Sequence, residues 1–191
     1  MIINHILLLI FWILFGLIHS ALATSKIKKA LLKRLKIKQT TYRIFYNLIA
    51  FFTLFLIIYY QLKIKSPLLI VPSLIIYIIS GLIILTGITI MVICMKKYFK
   101  QMAGLVEEVP ILEISGIHKF VRHPLYLGTF LFVIGLFLAF PLLSNLIGTC
   151  IIIIYTLIGI YFEEKKLIKT FGSSYISYKQ KVPMIIPHTF K

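Results

Sequence analysis

The chain contains no aspartate, and its five acidic residues, all glutamates, stand against 21 lysines and arginines. On a soluble protein the resulting net charge of +16 would suggest a nucleic-acid ligand. Here nineteen of the 21 basic residues lie in three segments between apolar runs, 26–43, 96–122 and 165–191. The positive-inside rule and attraction to anionic headgroups produce such alternation in membrane proteins. We therefore expect membrane lipid, and no nucleic acid, as a partner.

Cysteine is equally scarce. Cys94 and Cys150 both lie inside apolar runs, and neither has a second cysteine or a histidine at metal-binding spacing. We interpret both as small buried hydrophobic residues and predict no disulfide and no metal site. The chain also lacks a glycine-rich strand-to-helix loop and any alternation of strand and helix patterns. These absences exclude a soluble nucleotide-binding fold of the Rossmann type.

Apolar sequence is abundant: 60% of the residues are hydrophobic and the mean hydropathy is +1.02. This balance is typical of a polytopic membrane protein. Since a span needs about 20 apolar residues, the length allows about five spans and no second soluble domain. We predict an all-α fold and a single domain over residues 1–191. The predicted spans are 2–23, 44–60, 68–95, 124–143 and 146–162.

The charge pattern also predicts a topology. Residues 1–23 carry no lysine or arginine and the next segment is packed with them, which is the opposite of a secretory signal peptide, so we interpret them as a retained span. Counting spans places the N-terminus outside and the C-terminus inside (N-out/C-in), with all three basic clusters on the cytoplasmic side. Residues 25–39 predict a basic amphipathic helix in the plane of the membrane surface. The last two spans form a C-terminal helical hairpin, because only the turn at 141–145 separates them.

The most informative segment is Arg122-His123-Pro124-Leu125-Tyr126-Leu127-Gly128, where a basic loop meets an apolar helix. About forty residues later, Glu163-Glu164 stands at the polar end of the next apolar helix. Charged groups placed against a membrane are unfavourable and usually functional. Because a hairpin brings the start of its first helix beside the end of its second, we predict that Arg122 and His123 lie near the two glutamates.

The predicted cluster combines an anion site with carboxylates. Pro124 suits the first turn of a helix, so Arg122 and His123 would stand at a helix N-terminus, whose partial positive charge and free N–H groups favour a carboxylate or phosphate. Glu163 and Glu164 would hold an ammonium group or ribose hydroxyls, or act as a base. Aromatic rings, whose faces attract cations, are close in sequence: Tyr126, Tyr161, Phe162, Phe171, Tyr175 and Tyr178. S-adenosylmethionine, which has a carboxylate, an amine, a ribose and a sulfonium, would use all of these groups.

The same residues carry a resemblance. The run from Gly116 through His118 and Arg122-His123-Pro124 to Gly128 resembles the signature of the isoprenylcysteine carboxyl methyltransferase and phospholipid methyltransferase superfamily. That signature is roughly G-x-Y-x-x-x-R-H-P-x-Y-x-G, and His118 stands where it has tyrosine. The run from Glu163 to Pro187 resembles E-E-x-x-L, F-G-x-x-Y-x-x-Y and V-P-x-x-x-P. The resemblance covers about residues 113–187.

The N-terminal half resembles two branches of that superfamily in short motifs. His19-Ser20, and Tyr42-Arg43 with Tyr46-Asn47, are similar to the NnrU-like and methanethiol S-methyltransferase branches. Considered alone, His19 and Asn47 favour polar contacts between helices.

The resemblance implies an integral membrane methyltransferase whose cofactor, S-adenosylmethionine, is bound by the C-terminal helices beside the cytoplasm. It implies that Arg122 and His123 bind the cofactor carboxylate and that Glu163 and Glu164 bind its amine or ribose. The other implied cofactor-binding residues are Gly116, His118, Pro124 and Tyr126. Arg122 and Glu164 are the implied catalytic residues, with Glu164 as the base where the acceptor is an amine.

Several alternatives stay open on the sequence. The acceptor is expected to be lipophilic or lipidated: a prenylated thiol or carboxylate, a phospholipid amine or a volatile thiol. The short loops favour a bacterial plasma membrane, and an oligomer is possible. The rival function is a non-enzymatic membrane scaffold, transporter or assembly factor, although a transporter would be expected to show interrupted helices and inverted repeats. Taken singly, the Arg-His-Pro run could be a snorkelling helix cap and the glutamates a solvated helix end.

Overall fold

The computed structural model describes residues 1–102 and 111–187, with side chains at 1–96 and 111–187. Within these ranges the chain forms α1 (Ile2–Ala23), α2 (Ser25–Leu35), α3 (Gln39–Lys63), α4 (Leu74–Met102), α5 (Pro124–Ala139), α6 (Leu143–Phe171) and α7 (Ser173–Lys181). A 3₁₀ turn, Gly116–Lys119, precedes α5. The β pairing found in these ranges is one isolated antiparallel bridge, between Leu68 and Leu142. The prediction of an all-α fold is confirmed.

Four helices in the described part of the chain are long and apolar enough to cross a membrane: α1, α3, the Leu74–Lys96 part of α4, and α6. Large aliphatic side chains stand exposed along them; Leu62 and Leu74, for example, are each 75% exposed. A bilayer must cover so much apolar surface, so the protein is an integral membrane protein. Helix α5 has 16 residues and is about 24 Å long, shorter than the hydrocarbon core of about 30 Å. The count of five spans and the N-out/C-in orientation stay predictions.

Two predicted span boundaries are wrong, for one physical reason. The third span begins at Leu74 instead of residue 68, and the fifth begins at Leu143 instead of residue 146. The segments before these helices pair with each other through their backbones: Leu69 N–H donates to the Pro141 carbonyl at 2.8 Å, and Leu143 N–H donates to the Pro67 carbonyl at 3.1 Å. Two loops paired in this way hold residue 68 in extended backbone and leave only three residues between α5 and α6.

The prediction for the cysteines is correct for one residue only. Both are free thiols; Cys94 is buried, but Cys150 is exposed. Cys150 lies on the apolar helix α6. We predicted that another part of the protein would cover it, but it lies on a face that is left for lipid.

The described chain divides into two compact units that interleave in sequence. The first contains Met1–Val71 and Pro141–Ile151, and the second contains Pro72–Lys97, 111–140 and 152–187. The prediction of one domain over the whole chain stays a prediction.

In the first unit, α1 packs against α3 and the start of α6 through partly buried hydrogen bonds. Trp12 Nε1 donates to Gln61 Oε1 at 3.0 Å, and Gln61 Nε2 donates to Asn145 Oδ1 at 3.0 Å. A second chain of bonds runs from Ser144 N–H to Ser66 Oγ and from that hydroxyl to His5 Nε2. Such bonds fix the register of the three helices, since a shift would leave buried polar groups unsatisfied.

Helix α2 corresponds to the amphipathic helix predicted at residues 25–39. It ends at Leu35 instead of residue 39, because Lys36 adopts a left-handed conformation with φ +51°. None of its side chains is buried. Its predicted position at the membrane surface stays a prediction.

In the second unit, glycines bring α4 and α5 unusually close. A Cβ on Gly87 would lie 2.7 Å from the Gly128 carbonyl oxygen and 2.8 Å from the Phe132 nitrogen. A Cβ on Gly128 would in turn lie 2.9 Å from the Gly87 carbonyl oxygen. Small residues permit such backbone contact between membrane helices. The contact sets the position of α5, and therefore of the Arg-His-Pro run at its start.

We expect Gly87→Ala to destabilise the protein by about 1–3 kcal/mol, because the new methyl group would collide with the α5 backbone. Gly81→Ala is the matched control, since it lies on the same helix and a Cβ there would meet nothing within 4 Å. Thermal unfolding of the purified protein in detergent measures both. Equal midpoints for the two variants would contradict the close packing of α4 on α5.

Candidate functional site

The structure brings Arg122 and His123 to Glu164, as the hairpin geometry predicts. Arg122 Nη1 lies 2.8 Å from Glu164 Oε1, and His123 Nε2 lies 3.3 Å from the same oxygen. The side chains of Arg122 and Glu164 are 8% and 10% exposed. The polar ends of α5 and α6 therefore meet in a buried ion pair within the second unit.

The backbone before α5 is held by the C-terminal segment. Arg122 N–H donates to the Pro183 carbonyl at 2.9 Å, and His123 N–H donates to the Met184 carbonyl at 3.1 Å. Pro124 occupies the first helical turn, as predicted. These two carbonyls already accept the N–H groups of Arg122 and His123, and the predicted use of the helix N-terminus for an anion stays a prediction. Any anion at this helix end is left to the side chains and to the first turn of α5.

Glu164 has a third partner that the sequence reasoning missed. Lys179 Nζ, on α7, lies 2.6 Å from Glu164 Oε2. Lys179 follows Tyr175 by one helical turn, and Tyr175 is almost fully buried. That spacing places both residues on one face of α7, which is the signal that could have identified the lysine.

Glu163 is oriented differently from Glu164. Its side chain is 43% exposed, and its Oε2 lies 3.8 Å from His123 Nδ1. That oxygen is buried and accepts no hydrogen bond from the described residues. The Tyr126 ring stacks on the imidazole of His123, with centroids 5.7 Å apart. His123 thus lies between the two glutamates and against Tyr126.

The 3₁₀ turn supports the cluster from its N-terminal side. Gly116 has φ +58°, a conformation that residues with a Cβ rarely adopt. His118 Nδ1 lies 3.3 Å from the Arg122 carbonyl oxygen, and the Tyr178 hydroxyl donates to the His118 carbonyl at 2.7 Å. Gly116 and His118 therefore shape the backbone ahead of Arg122, and His118 reaches the cluster through that backbone.

The predicted aromatic groups separate into two sets. Tyr161 and Phe162 are 56% and 62% exposed, and the Tyr161 ring faces Lys165 Nζ at 4.3 Å. Tyr175 and Tyr178 instead pack within the second unit, with ring centroids 6.0 Å apart. The Tyr175 hydroxyl lies beside Glu164 without forming an aligned hydrogen bond.

Burial controls the protonation of the groups around the ion pair. It lowers the pKa of His123, against the opposing effect of Glu163 and Glu164. It raises the pKa of Tyr178 to about 12 and also raises the pKa of Tyr175, which the nearby Glu164 raises further. At neutral pH the site therefore contains a neutral imidazole and two protonated phenols.

Comparison with known proteins identifies the family. The chain matches the NnrU protein family over residues 7–185. It belongs to that family. No solved structure matches this family member significantly.

Parts of this family member are also similar to named methyltransferases. It is 41% identical over 80 residues to methanethiol S-methyltransferase 1 of Bradyrhizobium diazoefficiens, covering 41% of this chain and 27% of the relative. It is 38% identical over 74 residues to methanethiol S-methyltransferase of Crocosphaera subtropica, covering 38% and 28%. It is 36% identical over 81 residues to protein-S-isoprenylcysteine O-methyltransferase of Schizosaccharomyces pombe, covering 40% and 33%. The chain thus spans about a quarter to a third of the length of these curated relatives. The resemblance drawn from the sequence motifs is confirmed.

We expect His123 to make this NnrU family member less stable on acidification. Burial holds its folded pKa below the usual 6.5, so the unfolded chain binds the proton first as the pH falls. The free energy of unfolding should rise with pH between the folded and the unfolded pKa of His123. It should therefore fall on acidification from about pH 7 to about pH 6. Thermal midpoints across this range should fall less in His123→Gln than in the unaltered protein. An unchanged pH slope in that variant would show that His123 does not titrate in this way.

Proposed function

We propose that this protein is an integral membrane methyltransferase that uses S-adenosylmethionine. One observation carries the proposal: Glu164 meets Arg122 and His123, about forty residues earlier in the sequence, in a buried contact, and also pairs with the partly exposed Lys179. Perturbed, partly buried ionisable groups in one place are typical of functional sites. Local similarity to named methyltransferases supports the assignment of methyl transfer.

Unsatisfied polar atoms support the fit of this cofactor. Arg122 Nε, Glu163 Oε2 and the Tyr175 hydroxyl are buried without a hydrogen-bond partner in the described part of the chain. Such atoms are rare in folded proteins, and each needs an explanation. The N–H of Arg122 suits the carboxylate of an amino-acid moiety, and the Glu163 oxygen suits its amine. The Tyr175 hydroxyl can bond to either group. The residues present therefore fit the methionine end of S-adenosylmethionine.

We assign the cofactor carboxylate to Arg122 and His123, because a guanidinium gives a two-pronged match to a carboxylate. Glu163 and Glu164 would hold the amine or the ribose hydroxyls. Lys179 balances the charge of Glu164, and Tyr126 would line the site beside His123.

Three further residues would act through the backbone. Gly116 permits the turn before the cluster, His118 holds the Arg122 carbonyl, and Pro124 starts α5. We propose these as positioning residues for the cofactor-binding cluster.

When bound, S-adenosylmethionine would supply an electrophilic methyl group on a positively charged sulfur. The protein's contribution would be to fix both partners and to exclude water, and alignment and desolvation can supply most of the acceleration in such transfers. Glu164 would accept a proton only where the acceptor is an amine; a thiolate or carboxylate acceptor needs no base.

We propose a small or lipophilic acceptor that approaches through the membrane. The relatives are named for methanethiol and for isoprenylcysteine, which favours a sulfur or carboxylate nucleophile over a phospholipid amine. The short loops favour a bacterial plasma membrane, and the basic clusters favour the cytoplasmic side for the site.

Equilibrium binding of labelled S-adenosylmethionine to the full-length protein in nanodiscs tests the proposal. We expect saturable binding that Arg122→Gln weakens at least about tenfold, because a charge-assisted bond to the carboxylate is lost. Arg34→Gln on α2 removes the same charged group from the first unit and should bind normally.

Because Arg122→Gln also breaks a buried ion pair, Glu163→Gln provides a second readout. Glu163 Oε2 accepts no hydrogen bond from the described residues, and glutamine keeps a carbonyl oxygen to accept the bond that Tyr126 gives to Glu163. This variant should therefore keep the thermal midpoint and still bind the cofactor more weakly. Absence of binding by the unaltered protein, or normal binding by both variants, would refute the cofactor assignment.

Transfer of labelled methyl groups identifies the acceptor. Purified protein is incubated with labelled S-adenosylmethionine and, separately, a small thiol, a prenylated cysteine and a phospholipid extract. We expect label in the thiol or prenylcysteine product, and Arg122→Gln should reduce it. Label only in the phospholipid fraction would overturn the acceptor class but not the cofactor.

A further inference from the structure

An apolar groove runs between α1 and α3 in the first unit. Its walls extend from Phe15 to Leu22 on α1 and from Tyr46 to Thr53 on α3, and the space between them is shallow and open to the surface. The helices are antiparallel here, since the Tyr42 hydroxyl donates to the Leu22 carbonyl at one end. The groove therefore follows the helix axes, which suits an extended alkyl chain.

The polar groups in this groove are already paired. The Tyr46 hydroxyl lies 2.6 Å from His19 Nε2, and the Thr53 hydroxyl donates to the Ile49 carbonyl at 2.6 Å. The Phe15 ring stacks on the His19 imidazole with centroids 5.5 Å apart. Groups paired in this way present mainly carbon to the groove, so its chemistry favours an apolar chain over a polar ligand.

One end of the groove leads to a concentration of positive charge. Leu22 lines that end, and α1 stops at Ala23, directly before α2. Helix α2 carries five basic residues, none of its side chains is buried, and it has no acidic residue: the five are Lys26, Lys28, Lys29, Lys33 and Arg34.

No carboxylate in this part of the sequence balances those charges. The first acidic residue of the whole chain is Glu107, so residues 1–71 contain none. An anionic lipid headgroup attracts basic residues at a membrane surface by about 1 kcal/mol each. A negative charge, which residues 1–71 do not supply, is available from lipid.

From these features we propose that α1, α2 and α3 bind one anionic phospholipid. One acyl chain lies in the groove, and the phosphate lies against the basic residues of α2. This inference does not depend on methyl transfer, and the test below does not use S-adenosylmethionine.

The single tryptophan provides a local probe. Trp12 lies on α1 with its ring centroid 6.2 Å from that of Phe15, at the end of the groove away from α2. Full-length protein is placed in two kinds of phosphatidylcholine vesicle. One contains a minor fraction of phosphatidylglycerol brominated on its acyl chain, and the other contains the same fraction of phosphatidylcholine brominated in the same way. We expect brominated phosphatidylglycerol to quench Trp12 more strongly than the same fraction of brominated phosphatidylcholine.

Two variants separate a bound lipid from general enrichment around a basic protein. Ala50→Phe fills the groove without altering charge and should abolish the preference, whereas general enrichment would survive it. The triple variant Lys26→Gln, Lys28→Gln, Lys29→Gln should weaken the preference at least about fivefold. Lys63→Gln with Lys65→Gln removes charge near the other end of α3 and should retain it.

Equal quenching by the two lipids in the unaltered protein would overturn the proposal. So would a preference that persists in Ala50→Phe or in the triple variant. Circular dichroism and thermal midpoints establish that each variant is folded, and Ala50→Leu, a smaller filling change, should give an intermediate loss.

Discussion

The arrangement of the second unit depends on the contacts that the Glu164 carboxylate makes. This carboxylate joins the segment before α5 through Arg122, the start of that helix through His123, and α7 through Lys179. A buried ion pair of this kind adds little net stability, because removing both charges from water offsets their attraction. Removing only one partner is nevertheless strongly destabilising, because the other charge is left buried and unpaired. Glu164 therefore acts mainly to specify one arrangement of three segments.

That arrangement also needs contacts that carry no charge. Gly87 and Gly128 allow α4 and α5 to touch at their backbones, which fixes the axial position of α5. The Pro183 and Met184 carbonyls accept the N–H groups of Arg122 and His123, so the same two residues are held at backbone and side chain. Because Arg122 is held at its backbone and at its guanidinium, it loses little further conformational freedom when it binds a ligand. This favours tight recognition of a carboxylate.

The sequence predicted the meeting of Arg122, His123 and Glu164 because two helices joined by a short loop must run antiparallel, and the charges mark matching ends. It did not predict Lys179, because the one-turn spacing from Tyr175 identifies this lysine only once the burial of Tyr175 is known. It also missed the pairing of the Pro67 and Pro141 loops, which joins residues more than seventy positions apart through backbone atoms. Side-chain patterns predict helices and their polar ends; backbone pairing between distant loops leaves no such pattern.

The two units meet the problem of charge at a membrane in different ways. The glutamates that the structure describes, Glu113, Glu163 and Glu164, all lie in the second unit, where Glu164 faces Arg122 and Lys179 at fixed distances. Residues 1–71 have ten lysines and arginines and no acidic residue, so no carboxylate within that stretch pairs with them. The internal pairing of Glu164 supports the proposed site for a small charged ligand in the second unit. The absence of acidic side chains from residues 1–71 supports the proposed binding of an anionic lipid by the first unit.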